Sequence, residues 1–317
     1  MRIVVTDHSF GNLCHEEAVA RAHGLTLEVF DCSQAAETAA AVAGAGVVFA
    51  NLAPVDAAAL QAMAPGALLI RYGVGVDNVD LAAAKAAGVT LCNVPDYGAE
   101  EVADHALAML LPLLRRLPKF DAAVRSGAWG ATALVATLPA CSEVTVGLLG
   151  FGRIAQAVVR RLRPFGFDII ACDPLVAPSL AAKAKVELVE FEALLARSHA
   201  LSLHLPLIDA TRHIIDARAL AALPRGAVVV NVSRGGLIDE PALALALLSG
   251  QLSGAGIDVF ENEPLASDSP LLSTPNTLLS PHAAFYSNKS LQNLQRLAAE
   301  EADRFLKGEA LRCPILV

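Results

Sequence analysis

Three side chains of complementary chemistry stand beyond short apolar runs. Arg234 follows Ala-Val-Val-Val-Asn-Val-Ser, Glu263 follows Gly-Ala-Gly-Ile-Asp-Val-Phe-Glu-Asn, and His282 follows Asn-Thr-Leu-Leu-Ser-Pro. A guanidinium presents a planar fork of donors suited to a carboxylate or a carbonyl. An imidazole titrates near neutrality and can give or take a proton. A carboxylate beside it can orient the ring and favour its charged form. Acting together, the three could grip an anionic substrate and move a proton. Taken singly, each has a plainer reading: a surface histidine, an arginine capping a Gly-Gly turn, a solvated loop acid before Pro264.

The runs that precede them decide between these readings. Each is short, rich in β-branched residues and bounded by Gly, Pro or Asn, which predicts a buried strand of a parallel sheet. In open α/β sheets the ligand crevice lies beyond the carboxyl ends of the strands, so three such ends can share one site. Strand and helix signals alternate over the first hundred residues and again from Val144 to His282. That alternation predicts an α/β protein with two doubly wound parallel-sheet domains. Between the series, Ala99 to Leu117 predicts a long connecting helix that ends near Pro118. After His282 no further strand series is expected, only a helix over 287–307 and a tail, Pro-Ile-Leu-Val. The tail has too little apolar surface to stand alone. It is expected to pack back on the first domain, the alternative being a terminal helix on the second. The expected domains are 1–100 with 286–317, and 101–285.

A nucleotide signal stands upstream of the trio. Gly150-Phe-Gly152-Arg-Ile-Ala155 lies between a strand and a helix. Gly150 permits a tight turn, Gly152 lets backbone approach a pyrophosphate, and Ala155 allows close helix–strand packing. The helix N-terminus offers N–H groups and a positive dipole end to phosphates. Asp173 ends the next strand, near the offset of the acid that bonds an adenosine ribose. No basic residue follows it to welcome a 2′-phosphate, so NAD is expected in preference to NADP.

The totals narrow the field. At 317 residues, 55% hydrophobic and 18% charged, the chain suits two domains with well-covered sheets. No apolar stretch is long enough to cross a bilayer, and the start reads as a strand rather than a signal peptide. A net charge of −8 without a basic cluster argues against nucleic-acid binding. Six scattered cysteines show no metal-ligand spacing and read as reduced, and no metal is expected. A cytoplasmic protein is expected. Of the other histidines, His204 ends a strand and lines the cofactor cleft at most, while His105 in the long helix reads as structural.

These residues resemble a known family, the D-isomer-specific 2-hydroxyacid dehydrogenases, nearest its C-terminal-binding corepressor branch. The stretches that carry the resemblance begin at Gly147, Asn231, Gly256 and Ser280, joined by Arg71-Tyr-Gly-Val-Gly-Val-Asp-Asn-Val-Asp. The resemblance implies a Rossmann NAD domain inserted into a discontinuous, flavodoxin-like substrate domain. It implies that Arg234 binds substrate, His282 is the acid/base and Glu263 supports it. Around NAD it implies Arg153, Ile154, Asp173, Leu205, Pro206, Val232, Ser233, Asp258 and Ala283. It makes the loop Tyr72-Gly73-Val74-Gly75 a clamp whose backbone N–H groups meet the substrate carboxylate. Phe285 stands where the corepressor branch commonly carries Trp, which changes the shape of an aromatic wall. Tyr72, Trp129 and Phe285 are expected to set substrate size. The implied activity interconverts a small 2-oxo acid and a D-2-hydroxy acid. The rival is an NAD(H)-sensing interaction protein without turnover. A homodimer is expected, formed through the long helix and the segment 117–132.

Overall fold

The computed structural model describes residues 1–135 and 137–315. The chain divides into two compact units: Met1–Gly98 together with the segment from Tyr286 onward, and Ala99–Phe285. The strands of the first series are β1 (Arg2–Val5), β2 (Leu27–Val29), β3 (Ala45–Ala50), β4 (Leu68–Arg71) and β5 (Thr90–Cys92). The second series comprises β6 (Thr145–Leu149), β7 (Asp168–Cys172), β8 (Glu187–Leu188), β9 (Ala200–Leu203), β10 (Ala227–Asn231), β11 (Leu252–Ile257) and β12 (Thr277–Leu279). A last short strand, β13 (Pro314–Ile315), returns to the first unit.

In the first unit the order is β13-β5-β4-β3-β1-β2, parallel throughout except for β13, which pairs antiparallel with β5. No strand was expected after His282; β13 forms because Pro314 and Ile315 lie along the edge of β5 and occupy part of it. Leu316 and Val317, the rest of the expected tail, lie outside the described residues. The helix Asn288–Lys307 packs here, placing Leu294, Leu297, Ala298 and Ala302 in one apolar cluster with Ile3, Val5, Phe49 and Ile70.

The second unit carries seven parallel strands in the order β12-β11-β10-β9-β6-β7-β8. Its central strands are apolar on both faces, which fits a sheet covered by helices on each side. Several of the helices start on an aspartate whose carboxylate accepts an N–H of the first turn, as Asp216 does from Ala219 at 2.8 Å and Asp239 from Ala242 at 3.0 Å.

The long helix ends earlier than the sequence predicts. It spans Ala99–Leu114, Arg116 takes a left-handed φ of 57°, and a new helix runs over Leu117–Arg125. Pro118 sits in the first turn of that second helix, where its missing N–H does no harm, so it starts a helix rather than stopping one.

Candidate active site

Strand order brings the trio's loops together. β10, β11 and β12 are consecutive neighbours, so the chain leaves three adjacent strands on one side of the sheet. Arg234 begins a short turn after β10, and its guanidinium donates to the Ser233 carbonyl at 2.7 Å. Glu263 lies well past the end of β11, out along the loop rather than at the strand end the sequence suggests. His282 follows β12 directly, beyond Ser280 and Pro281.

Glu263 Oε2 and His282 Nδ1 are 2.7 Å apart, a charge-assisted hydrogen bond when the ring is protonated. Glu263 Oε1 accepts from the Phe260 N–H at 3.0 Å, so both carboxylate oxygens are anchored. Beside the pair is a cavity of about 380 Å³ with an apolar wall that includes Phe260, Leu265, Leu272 and Leu279. Burial here pushes the Glu263 carboxyl up, but the bonds from His282 and Phe260 and the charges of His282 and Arg234 outweigh it. The carboxyl ends below its ordinary value. With Nδ1 committed to Glu263, Nε2 is the ring nitrogen left for proton exchange.

The loop that carries His282 is held from beneath by Asp258. Asp258, placed at the cofactor by resemblance, is 0% exposed. One carboxylate oxygen accepts from the Ser280 hydroxyl and, at 2.8 Å, from the Ala283 N–H; the other accepts from the Ala284 N–H at 2.9 Å. Its carbonyl accepts the His282 N–H at 2.7 Å. A side chain so enclosed shapes the loop. The bonds also explain how His282 tolerates a φ of 51°, a left-handed conformation that costs an L-residue roughly 1–2 kcal/mol.

The glycine-rich turn fits a dinucleotide. Gly150 has φ 91°, and a Cβ there would lie 2.5 Å from the His204 carbonyl oxygen, so only glycine is accommodated. A Cβ at Gly152 would meet nothing within 4 Å, so the backbone borders open space. The helix Arg153–Leu162 begins there without a side-chain cap, leaving first-turn N–H groups available to an anion. Ala155 is buried in the core below the turn. Asp173 accepts from the Phe151 N–H at 2.8 Å and the Leu175 N–H at 2.9 Å, which ties it to the turn while its carboxylate keeps acceptor capacity. Of the other residues named for the cofactor, Arg153 and Pro206 are exposed, Ile154, Leu205 and Ala283 half-buried, and Val232 buried. Ser233 spends its hydroxyl on the Leu203 carbonyl at 2.7 Å.

Other expectations divide differently. The loop Tyr72–Gly75 belongs to the first unit, where Val94 N–H donates to the Gly73 carbonyl and Asn93 to that of Val74. Tyr72 itself is 1% exposed, lies flat against Phe49 and edge-on to Phe10, and donates its hydroxyl to Glu16 at 2.8 Å. Its ring is part of the first unit's core. Trp129 is 86% exposed on the second unit, beyond a helix with no buried residue. Phe285 stands edge-on to His282, ring centroids 6.3 Å apart.

Two histidines have partners that the sequence does not show. His204 bonds the Ser202 hydroxyl at 2.9 Å, and burial pushes its ring down to about 3, so it stays neutral. His105, read as structural, reaches the Ser280 hydroxyl at 2.9 Å. The sequence offers little signal for this, a histidine where the acidic first turns of the helix (Glu100, Glu101, Asp104) give way to an apolar run.

Comparisons with known proteins identify the family. Residues 107–284 match the family described as D-isomer specific 2-hydroxyacid dehydrogenase, NAD binding domain. Over 258 residues the chain is 41% identical to D-3-phosphoglycerate dehydrogenase of Mycobacterium leprae, a match that covers 80% of this chain and 48% of that protein. The chain thus spans about half the length of the curated relatives of that name. Glyoxylate reductase of Korarchaeum cryptofilum is 38% identical over 262 residues, covering 81% of this chain and 78% of that protein. Among solved structures, a glyoxylate reductase from Paecilomyes thermophila superposes with a TM-score of 0.87 at 29% identity, over 99% of this chain and 98% of that one. The family match takes in more than half of the chain, including the glycine turn, Arg234, Glu263 and His282. On these grounds the chain belongs to the D-isomer-specific 2-hydroxyacid dehydrogenases.

Proposed function

We propose that this protein is an NAD-dependent oxidoreductase that interconverts a small 2-oxo acid and the corresponding D-2-hydroxy acid. The Glu263–His282 pair carries the reading: a carboxylate held below its ordinary value, 2.7 Å from an imidazole. The names of its relatives, D-3-phosphoglycerate dehydrogenase and glyoxylate reductase, both point to small 2-oxo or 2-hydroxy acids. The open space at Gly152 and the uncapped helix end at Arg153 support a place for the pyrophosphate.

NADH, when bound, supplies the hydride for the substrate's carbonyl carbon. His282 gives its proton to the carbonyl oxygen in reduction and takes one back in oxidation, while Glu263 fixes the ring and compensates its charge. Arg234 pairs with the substrate carboxylate. The N–H groups of the Tyr72–Gly75 backbone are read, by the family resemblance, as donors to a substrate carboxylate. Asp173 favours NAD, since a 2′-phosphate beside its carboxylate would be repelled. The exposed Leu117, Val124 and Trp129 support a homodimer through that segment. A cytoplasmic location is part of the same reading; among the described residues no helix is long and apolar enough to cross a membrane.

A panel of 2-oxo acids assayed with NADH tests the proposal. Turnover that disappears in His282→Ala while NADH binding persists is the expected result. Tight NADH binding without turnover of any member would sink the enzyme reading in favour of a dinucleotide sensor. For the cofactor, Asp173→Ala should reduce the preference for NADH over NADPH in fluorescence titrations, and an unchanged ratio of affinities would refute that role.

A further inference from the structure

We infer that His105 is a positioning residue for His282, acting through Ser280 and Asp258; the inference rests on the acid/base role proposed for His282. Ser280 has one hydroxyl hydrogen, and it is directed to Asp258 Oδ1. Its oxygen, 2.9 Å from His105 Nε2, is therefore the acceptor, and His105 is the donor. The same ring nitrogen lies 3.5 Å from Asp258 Oδ1. A chain of hydrogen bonds thus runs from the long helix through Ser280 to the carboxylate that holds the Ala283 and Ala284 N–H groups. Those two residues directly follow His282, whose left-handed backbone needs support from its surroundings.

The packing of helix on strand shows that this reach is built in. His105, Met109 and Leu113 recur every four residues and share one helix face, advancing about 6 Å per step. Gly254, Gly256 and Asp258 recur every two residues along β11 and its extension, advancing about 6.6 Å per step on one face. The two rows match, rung for rung. A Cβ on Gly254 would lie 3.0 Å from Leu113 Cδ2, and a Cβ on Gly256 would lie 2.7 Å from Met109 Cβ. The third rung is His105 against Asp258. Two glycines let the helix settle close to the strand, and that closeness brings the imidazole within reach of Ser280. A helix held away by side chains at 254 and 256 would leave His105 short of its partner.

The test uses the full chain with NADH and the best substrate of the oxo-acid panel. His105→Ala should lower kcat by about 10- to 100-fold, as expected for a displaced acid/base group, with the KM for NADH nearly unchanged. Amide hydrogen exchange at Ala283 and Ala284 should quicken by about tenfold or more. His105→Gln, which keeps an N–H donor near the Nε2 position, should recover most of both. Gly256→Ala, by lifting the helix, should reproduce the His105→Ala pattern with every hydrogen-bonding group still present. Wild-type kcat in a folded His105→Ala protein, unchanged exchange at the two alanines, or a Gln variant no better than Ala would each overturn the inference. A uniform loss of melting temperature with kcat intact would do the same. If His282→Ala itself retains turnover, it is the acid/base reading that fails. The exchange measurement then still decides whether His105 holds the loop.

Discussion

Each unit of the molecule holds a carboxyl paired with one ring, and the two pairs behave in opposite ways. In the first unit Glu16 accepts from the Tyr72 hydroxyl at 2.8 Å, wholly enclosed by the core. Burial pushes its carboxyl up, and its second oxygen, Oε2, is buried with no hydrogen-bond partner among the described residues. In the second unit Glu263 meets His282 at 2.7 Å with both partners about one-third exposed, and its carboxyl is held down. The distances are nearly the same, so distance does not separate them. A phenol offers one neutral donor and no compensating charge, so desolvation prevails. An imidazole that can carry charge, with Arg234 nearby, reverses the balance. The first pair is suited to joining a helix to a sheet, the second to proton traffic.

Substitutions at the partners test that contrast. The largest effect is expected from Glu263→Gln, which keeps the size of the side chain and removes its charge. Turnover of the 2-oxo acid should fall on the order of 10²-fold, and the alkaline limb of the pH–rate profile for reduction should move to lower pH. A variant with unaltered kcat and profile would show that Glu263 does not support the proton step. Because its folded-state carboxyl lies below the ordinary 4.5, the pairing contribution is complete above that value and is lost only as pH falls through the lowered one.

Tyr72→Phe should act on stability alone. Removing the donor from a buried carboxyl should destabilise the first unit by about 1–3 kcal/mol in denaturant titrations, with KM for the oxo acid unchanged. A raised KM at wild-type stability would return the ring to the substrate. The smallest effect is expected from Glu16→Gln. The folded-state carboxyl lies above its ordinary 4.5, so the stability it contributes is present below that value and lost as pH rises through the raised one. Wild-type melting temperature should therefore fall relative to the variant as pH rises above 4.5. Parallel curves would mean that burial does not govern Glu16.

Legibility in the sequence follows the range of the interaction. β-branched runs bounded by turn residues marked the strands, because burial in a parallel sheet demands continuous apolar surface. The Gly150 turn was readable for a local reason: a φ of 91° and a carbonyl 2.5 Å from any Cβ admit only glycine. Pro118 misled because the same residue stops one helix or starts another, and only the break at Arg116 decides which. The burial of Tyr72 and Asp258 was not legible, because flanking residues say nothing about what encloses a side chain. A tyrosine beside a glycine loop looks accessible until Phe10, Phe49 and Glu16 surround it.

The sequence by itself determined which chemistry is at hand: a cation, an acid and an imidazole beyond strand ends, and a turn shaped for a dinucleotide. Residue type and short spacing suffice for that, since propensity, backbone sterics and ordinary pKa values are local properties. Tertiary structure alone decided which groups act on each other. Glu263 meets His282 because β11 and β12 are neighbours, and His105 reaches Ser280 because two glycines admit its helix. Hydrogen bonding and desolvation act over a few ångströms of space, and across 175 residues of chain only packing can supply that proximity.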